Sequence, residues 1–563
     1  MKVIGFSLGH DKGATLIIDG KVVTSISIER INRIKTGYIG NNSMYDIPIS
    51  CIDYCLDANK LTYDDIDLYV YNCTTSHDLD NEFCESTNQN IDKLRFIPHH
   101  LAHAYSTYYS SNFNESVIVV ADAMGSEIIP NGKAENWFSN DYNIIDTSNE
   151  PFNYAEGITI FEARGNKLIE IYKKWIKYPF PWNQDNEEIS IGGYYGMGTY
   201  QLVRDKKSNT WKAGKLMGLA SYADKTYVDS IPRQTQKIGN DVTLPSSYFR
   251  PEVTMDDDFQ LKANVAGVYQ KEQEMISLEL CEIARDLSNI NNICVAGGSF
   301  LNCNTNEMII KSNMFDKQYF VPSADDTGIP LGCAWYGYLE LNPTFDKSKN
   351  ITKWQTPYLG KSYEDETIFD EIIQTEDIEY TYFEDFNELC KLVASYLNDN
   401  KVIGWYQGES ETGPRALGNR SILANPKSEW MTNYVNEIKE REWYRPFAPS
   451  VLHTHQSKVF DLDTYSPYML VTAQVLPEWR DRIPAVTHID GTSRYQSVTR
   501  DSNPRYHKLI SEFHKLSGIP LVMNTSFNGP SEPIVETPRN AIDTFLRQGL
   551  HYLIMGNYLV FKK

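Results

Sequence analysis

The chain opens on short apolar runs separated by glycine-bearing polar turns, a pattern that predicts β-strands before any helix. Lys2–Leu8 reads as a first strand, Thr15–Ile18 as a second and Val22–Ile28 as a third. Gly9-His10-Asp11-Lys12-Gly13 turns the chain between the first two, and Asp19-Gly20 is a hairpin signal before the third. Farther on, Val117–Val120 reads as a buried strand that delivers Asp122 at its C-terminal end. Ile293–Ala296 reads as another, running into Gly297-Gly298. Pro98-His99-His100-Leu101-Ala102-His103 predicts a helix start, because proline's missing N–H costs nothing in a first turn. Between residues 342 and 356 the pattern lapses into a linker, and a second apolar, glycine-punctuated unit follows.

At 563 residues the chain is too long for one ordinary core. Two α/β domains are expected, 1–345 and 355–563. Three antiparallel strands with a glycine-containing first turn are how ribonuclease-H-like, actin-type folds begin, although hairpins are common in other folds too. Strand–glycine units recur at Val117–Gly125 and Ile293–Gly298, each offering backbone N–H groups to phosphate oxygens. The net charge of −21 excludes an extended nucleic-acid footprint and leaves local Arg and Lys clusters to bind any anion. No signal segment or membrane-length apolar run is evident, so no membrane partner is expected. Nine cysteines at irregular spacing point to reduced thiols and a cytoplasmic location.

His99 and His103 stand four apart, on one helix face, and with Asp122 they can reach a single metal ion. Such an N/O ligand set suits Fe(II) or Zn(II); the alternative is a pair of histidines that cap or line a core. Asp326, before a glycine turn, is a fourth ligand or a solvated turn acid. Lys35 can neutralise a phosphate or acyl oxygen, or simply open a basic helix. Lys215, set among Gly214 and Gly218, reads as a loop entering a helix, where glycines allow either ligand approach or close packing. Gly297-Gly298 let a nucleotide come close to the backbone, and Asn302 can hydrogen-bond a ribose or base.

The second unit carries a different signature. Gly413-Pro414-Arg415 through Arg420, Arg441 through Pro449, Thr492-Ser493-Arg494 and Asn524-Thr525-Ser526-Phe527-Asn528 bring together arginines, amides and hydroxyls. Arginine's planar donor fork fits phosphate oxygens, so these loops suit a triphosphate. Surface ion pairing is the alternative, but it has no need of the glycines and prolines that fix the backbone here.

With these residues assembled, nearly the whole chain resembles the O-carbamoyltransferases of the nodulation-factor, tobramycin and cephamycin type. The resemblance rests on Leu8-Gly9-His10-Asp11, His99–His103, Gly214–Ala220, Gly297–Asn302, Gly413–Arg420, Arg445–Pro449 and Asn524–Asn528. It implies an N-terminal actin-like (ribonuclease-H-like) duplicated fold and a C-terminal YrdC-like α/β domain. By the resemblance, the YrdC-like domain makes carbamoyladenylate from carbamoyl phosphate and ATP, with Mg2+, using Arg415, Arg445, Arg494 and Asn524. The N-terminal domain is then expected to bind carbamoyladenylate through Lys35, Lys215, Gly297, Gly298 and Asn302. There His99, His103, Asp122 and Asp326 would hold Fe(II), and His10 would act as general base toward a hydroxylated small-molecule acceptor. A homodimer is compatible with this reading. One departure stands out: Ala123 follows Asp122 where the family usually has glycine, which shifts a phosphate contact to Gly125 or weakens it.

Three other readings compete. A tRNA threonylcarbamoyladenosine-type modifying enzyme shares both domain types, but binding tRNA needs phosphate neutralisation that this acidic chain lacks. An actin-like small-molecule kinase explains the glycine turns, but neither the histidine pair nor the arginine loops. A non-catalytic nucleotide- and metal-binding regulator keeps the ligands without turnover.

Overall fold

In the computed structural model, which describes residues 1–35, 45–74, 79–128, 153–178, 189–204, 213–233, 235–243, 253–349 and 356–563, the first apolar runs form an antiparallel meander. Its strands are Lys2–Ser7, Gly13–Ile18 and Lys21–Ser27. Asp19 and Gly20, which link the last two, both have positive φ, as a tight hairpin turn demands. A five-stranded sheet results, in the order Lys21–Ser27, Gly13–Ile18, Lys2–Ser7, Leu68–Asn72, Leu94–Phe96. The last three strands are mutually parallel. This order and direction pattern is the ribonuclease-H-like one that the opening meander leads one to expect.

A second sheet runs Lys317–Phe320, Asn292–Ala296, Glu115–Ala121, Asn153–Arg164, Glu127–Ile128, with Lys167–Tyr178 paired to Asn153–Arg164. Its parallel strands Glu115–Ala121 and Asn292–Ala296 are apolar and almost wholly buried, as strands covered on both faces must be. Two helices, His99–Ser110 and Ile329–Leu341, join Ile118, Val120 and Cys294 in one core. They approach closely because Gly332 lacks a side chain: a Cβ there would lie 1.8 Å from the carbonyl oxygen of Ala102.

The C-terminal sheet has nine strands, ordered Ile378–Tyr382, Tyr558–Lys562, Tyr552–Met555, Ile403–Tyr406, Arg420–Ala424, Leu521–Ser526, Ala448–Leu452, Thr492–Val498, Val471–Gln474. It is mixed: Ile403–Tyr406 runs antiparallel to Arg420–Ala424 and parallel to Tyr552–Met555. Helices Phe386–Asn398 and Pro504–Ser517 contribute Val393, Leu397, Leu509 and Phe513 to its core.

The chain divides into two compact units, Met1–Ser27 with Tyr38–Trp354, and Ile28–Gly37 with Gln355–Lys563. This division differs from the expected 1–345 and 355–563 by assigning Ile28–Gly37, and Lys35 with it, to the C-terminal unit. None of the nine cysteines forms a disulfide among the described residues. Among the described residues no helix is long and apolar enough to cross a membrane.

Candidate functional site

In the N-terminal unit, three elements end at one place. The helix His99–Ser110 points His99 and His103 to the same side, Asp122 follows the strand Glu115–Ala121, and Asp326 starts a single helical turn, Asp326–Gly328. Pro98 lies just outside the helix as its N-cap residue and supplies no capping side chain. His103 Nε2 lies 3.1 Å from Asp122 Oδ2 and 3.6 Å from Asp326 Oδ1. His99 Nε2 lies 3.6 and 3.4 Å from the same two oxygens. One ligand atom from each of the four residues falls within 4.8 Å of all the others. Atoms bound to one ion at about 2.0–2.2 Å stand at most about 4.4 Å apart, so small side-chain movements suffice to close the set.

The donors fit a metal for a further reason. His99 Nε2 is buried and has no hydrogen-bond partner among the described residues. Its other nitrogen, Nδ1, lies 2.8 Å from Asn72 Oδ1, and Asn72 Nδ2 donates to the carbonyl of Ile97, which fixes the amide's orientation. A ring that gives its Nδ1 proton to an outer acceptor presents the Nε2 lone pair to an ion. Burial pushes His99 down, yet Asp326 and Asp122 outweigh it and raise its pKa to about 10. The same interplay, burial opposing and the histidines prevailing, holds Asp326 well below the carboxylate range.

The helix that carries both histidines is tethered at its start. Ser126 Oγ accepts the N–H of His99, and Glu156 Oε2 accepts those of His100 and Ser126. Glu156 is fully buried, with Lys173 Nζ at 2.8 Å from its other oxygen. Lys173 also pairs with Glu170 at 2.8 Å. His100 faces away from the cluster, its Nδ1 2.8 Å from Thr159 Oγ1, and burial pushes its pKa down to about 3. Neither Asn72 nor Glu156 carries a local sequence signal, since each meets the helix from a distant strand.

Several other expected residues sit at this cluster. His10 Nδ1 is 3.6 Å from Asp326 Oδ2, and its ring is more than half exposed. Asp11, 3.6 Å from His10 Nε2, is the main cause of its raised pKa, with Asp326 adding. Gly297 has φ +96°, and a Cβ on it would lie 2.2 Å from the carbonyl oxygen of Ala121, so the two strand ends can meet only at glycine. A Cβ on Gly298 would lie 3.2 Å from Asp122 Oδ1.

Asn302 is engaged inside the protein. Its amide exchanges two hydrogen bonds with Gln270, and its oxygen caps the helix Cys303–Lys311. Lys215 lies in the first turn of the helix Ala213–Ala220, half-buried, where the sequence reads as a loop entering a helix. Lys35 pairs with Glu29 at 2.9 Å and belongs to the segment grouped with the C-terminal unit. The stretch Tyr178–Tyr200, rich in Tyr, Trp and acids, reads from the sequence as a wall of an acceptor pocket, and its residues 179–188 lie outside the described set.

In the C-terminal unit Asn524 stands on the strand Leu521–Ser526 and Arg494 on Thr492–Val498. Asn524 Nδ2 donates to Ala416 O, beside Arg415, and to Ser450 Oγ, while its own Oδ1 is buried with no partner among the described residues. Glu411 Oε1 accepts the N–H groups of Leu417, Asn419 and Arg420, and so shapes the Gly413–Arg420 loop. Arg420 is structural: fully buried, its guanidinium lies 3.8 Å from the ring of Tyr406.

Arg441, in a loop that the sequence reads as suited to a triphosphate, is held well below its ordinary pKa, first by burial and then by Arg445 and Arg494. Lys439, which the sequence reading missed, is likewise lowered by burial, Arg441 and Arg445. Its ammonium is steered by Asn528 Oδ1 at 2.9 Å and the carbonyl of Ser526 at 2.6 Å. Desolvated cations that repel one another make a site for an anion.

Fold and sites thus define an α/β protein of two units, one with a candidate metal centre and the other with a candidate anion site. Residues 71–335 match the family model described as carbamoyltransferase N-terminus, and residues 394–562 the one described as carbamoyltransferase C-terminus. Nodulation protein NolO of Bradyrhizobium diazoefficiens is 35% identical across 83% of this chain and 79% of that protein. Nodulation protein NolNO of Sinorhizobium fredii is 29% identical across 98% of this chain and 79% of that one. Among solved structures, HypF of T. kodakarensis gives a TM-score of 0.38 at 13% identity, across 62% of this chain and 49% of that chain. The chain belongs to the carbamoyltransferase family, and it is accordingly an enzyme that transfers carbamoyl groups.

Proposed function

We propose that the C-terminal unit, YrdC-like in the expected sense, forms carbamoyladenylate, and that the N-terminal unit transfers its carbamoyl group to a hydroxyl of a small molecule. The observation that carries the first half is the gathering of Lys439 and Arg441, both held low by burial and by neighbouring guanidiniums, with Arg445 and Arg494, a set that a polyphosphate would neutralise. Carbamoyl phosphate and water give carbamate and phosphate. The carbamate oxygen then attacks the α-phosphorus of ATP, supplied with Mg2+, and pyrophosphate leaves. The cations hold the phosphates in line for that displacement, and Asn524, through the Ala416 carbonyl, fixes the loop that carries Arg415.

In the second step the acceptor hydroxyl attacks the carbamoyl carbon. Its C–O bond forms as the bond to the adenylate oxygen breaks, and AMP departs. His10, open to solvent at the edge of the histidine–aspartate cluster, takes the hydroxyl proton. Gly298, where a Cβ would lie 3.2 Å from Asp122 Oδ1, keeps that side of Asp122 open to the adenylate. Two imidazoles and two carboxylates suit Fe(II), which when bound supplies Lewis-acid polarisation of a carbonyl.

The test is incubation with ATP, carbamoyl phosphate and a panel of hydroxylated metabolites. Pyrophosphate and AMP should appear, and mass spectrometry should find an acceptor heavier by one carbamoyl group. Release of ADP instead would favour the kinase, and no turnover the regulator. His99→Ala should abolish transfer and leave pyrophosphate release largely intact; loss of both together would break the division of labour.

A further inference from the structure

The short helix Ile28–Asn32 follows directly on the third strand of the chain, yet it groups with the C-terminal unit. Two arginines fasten it there. Arg33, at the helix end with φ +63°, donates from Nη1 to the carbonyl of Ile534 at 2.6 Å and from Nη2 to that of Pro533 at 2.8 Å. These carbonyls come directly after Glu532, whose own carbonyl holds the amide of Asn528. Asn528 in turn holds the ammonium of Lys439. The helix is therefore linked, through one turn of chain, to the residue that anchors the anion cluster.

Arg30 is used differently. Its Nη2 donates to the carbonyl of Gly413 at 3.0 Å, at the start of the Gly413–Arg420 loop. Its side chain is buried, the residue being only 4% exposed, and Nε and Nη1 have no hydrogen-bond partner among the described residues. A guanidinium stays charged at any physiological pH, so burying it with two donors unmet is costly unless an acceptor arrives. The acceptor that suits a buried guanidinium beside a loop of glycine, proline and arginine is a phosphate oxygen.

We propose that Arg30 is a phosphate-binding residue of the C-terminal site, contributed from near the start of the chain, and that it contacts a phosphate oxygen of ATP or of carbamoyl phosphate. This rests on the proposed adenylate-forming reading of that site. Arg33 is the positioning residue: with both its terminal nitrogens on backbone carbonyls, it holds the helix so that Arg30 faces the loop.

The experiment compares the full-length wild type with Arg30→Met and Arg30→Lys. Calorimetry measures binding of Mg-ATP and, separately, of inorganic phosphate. Steady-state pyrophosphate release gives KM for ATP and for carbamoyl phosphate, and thermal melting monitors the fold. Arg30→Met should weaken binding of one probe about ten- to hundredfold, the worth of a charged hydrogen bond, with a melting temperature close to wild type. Arg30→Lys, which keeps the charge but loses the planar donors, should fall between, and it decides the matter if the methionine variant does not fold. A raised KM for ATP alone identifies the nucleotide as the source of the phosphate, and one for carbamoyl phosphate alone identifies the smaller substrate. Variants that bind both probes within twofold of wild type would overturn the assignment. Wild-type protein that releases no pyrophosphate would instead overturn the parent reading, and the calorimetry would still decide whether Arg30 binds phosphate.

Discussion

Asn72 is placed to control the metal affinity of a histidine it does not resemble in function. Its amide oxygen fixes His99 Nδ1, and second-layer partners of this kind change metal affinity about ten- to hundredfold. Asn72→Ala should lower Fe(II) affinity by that much in anaerobic calorimetry and leave pyrophosphate release unchanged; unaltered affinity would mean that the helix alone orients the ring. His10→Ala should slow transfer from supplied carbamoyladenylate about 10²- to 10⁴-fold, the usual range for general base catalysis. A wild-type rate would remove His10 from the mechanism. At this scale the i,i+4 histidines were legible in the sequence because helical geometry is local. Asp122 was legible because it ends an apolar run. Asn302 was not, since the partner that occupies its amide, Gln270, sits on another helix. Lys439 has no flanking glycine or proline to mark it, only a partner, Asn528, on a turn 89 residues away.

The helix His99–Ser110 begins without a capping side chain of its own, and its first N–H groups are taken up by Ser126 and Glu156 instead. Burial works against the Glu156 charge, but Lys173 and the backbone N–H of His100 prevail and bring its pKa to about 2. Because this folded value lies below the ordinary ~4.3 of an unfolded glutamate, the carboxylate stabilises the fold at pH values above ~4.3. That contribution is lost as pH falls from there through about 2. Glu156→Gln keeps an acceptor for the N–H groups but takes the Glu156 charge away from Lys173. It should cost about 3–5 kcal/mol at neutral pH, as breaking a buried pair does, and flatten the acid limb of the stability curve. Urea titrations from pH 3 to pH 7 measure both effects, and parallel curves for variant and wild type would refute the assignment. The strands were legible to within a residue or two, because buried strands of a parallel pair read as continuous apolar runs. The tether was not, because it is made between elements far apart in the chain.

For the molecule as a whole, two clusters in two units predict two separable defects. Lys439→Gln should reduce pyrophosphate release more than tenfold and spare transfer from supplied carbamoyladenylate, the mirror image of His99→Ala. Parallel loss of both activities in both variants would argue for a single site. The two-domain architecture was visible in the lapse of pattern near residue 342, and the ribonuclease-H-like opening in the first three strands. The assignment of Ile28–Gly37 to the far unit was invisible, since its residues look like an ordinary helix after a strand. A fragment of residues 355–563 therefore lacks a piece of its own unit. It should melt lower than the same fragment with residues 28–37 joined to its N-terminus by a flexible linker, and equal melting temperatures would count against a structural need for the segment.

That assignment also gives the polypeptide a history during synthesis. Arg30 and Arg33 leave the ribosome early, whereas the carbonyls of Gly413, Pro533 and Ile534 that receive them are made hundreds of residues later. At ordinary rates of translation the delay is on the order of half a minute, long compared with the folding of a local helix. For that time the segment stays undocked while the chain that follows it can begin to pack. The C-terminal unit can be completed only by capturing a part of the chain that was waiting from the start.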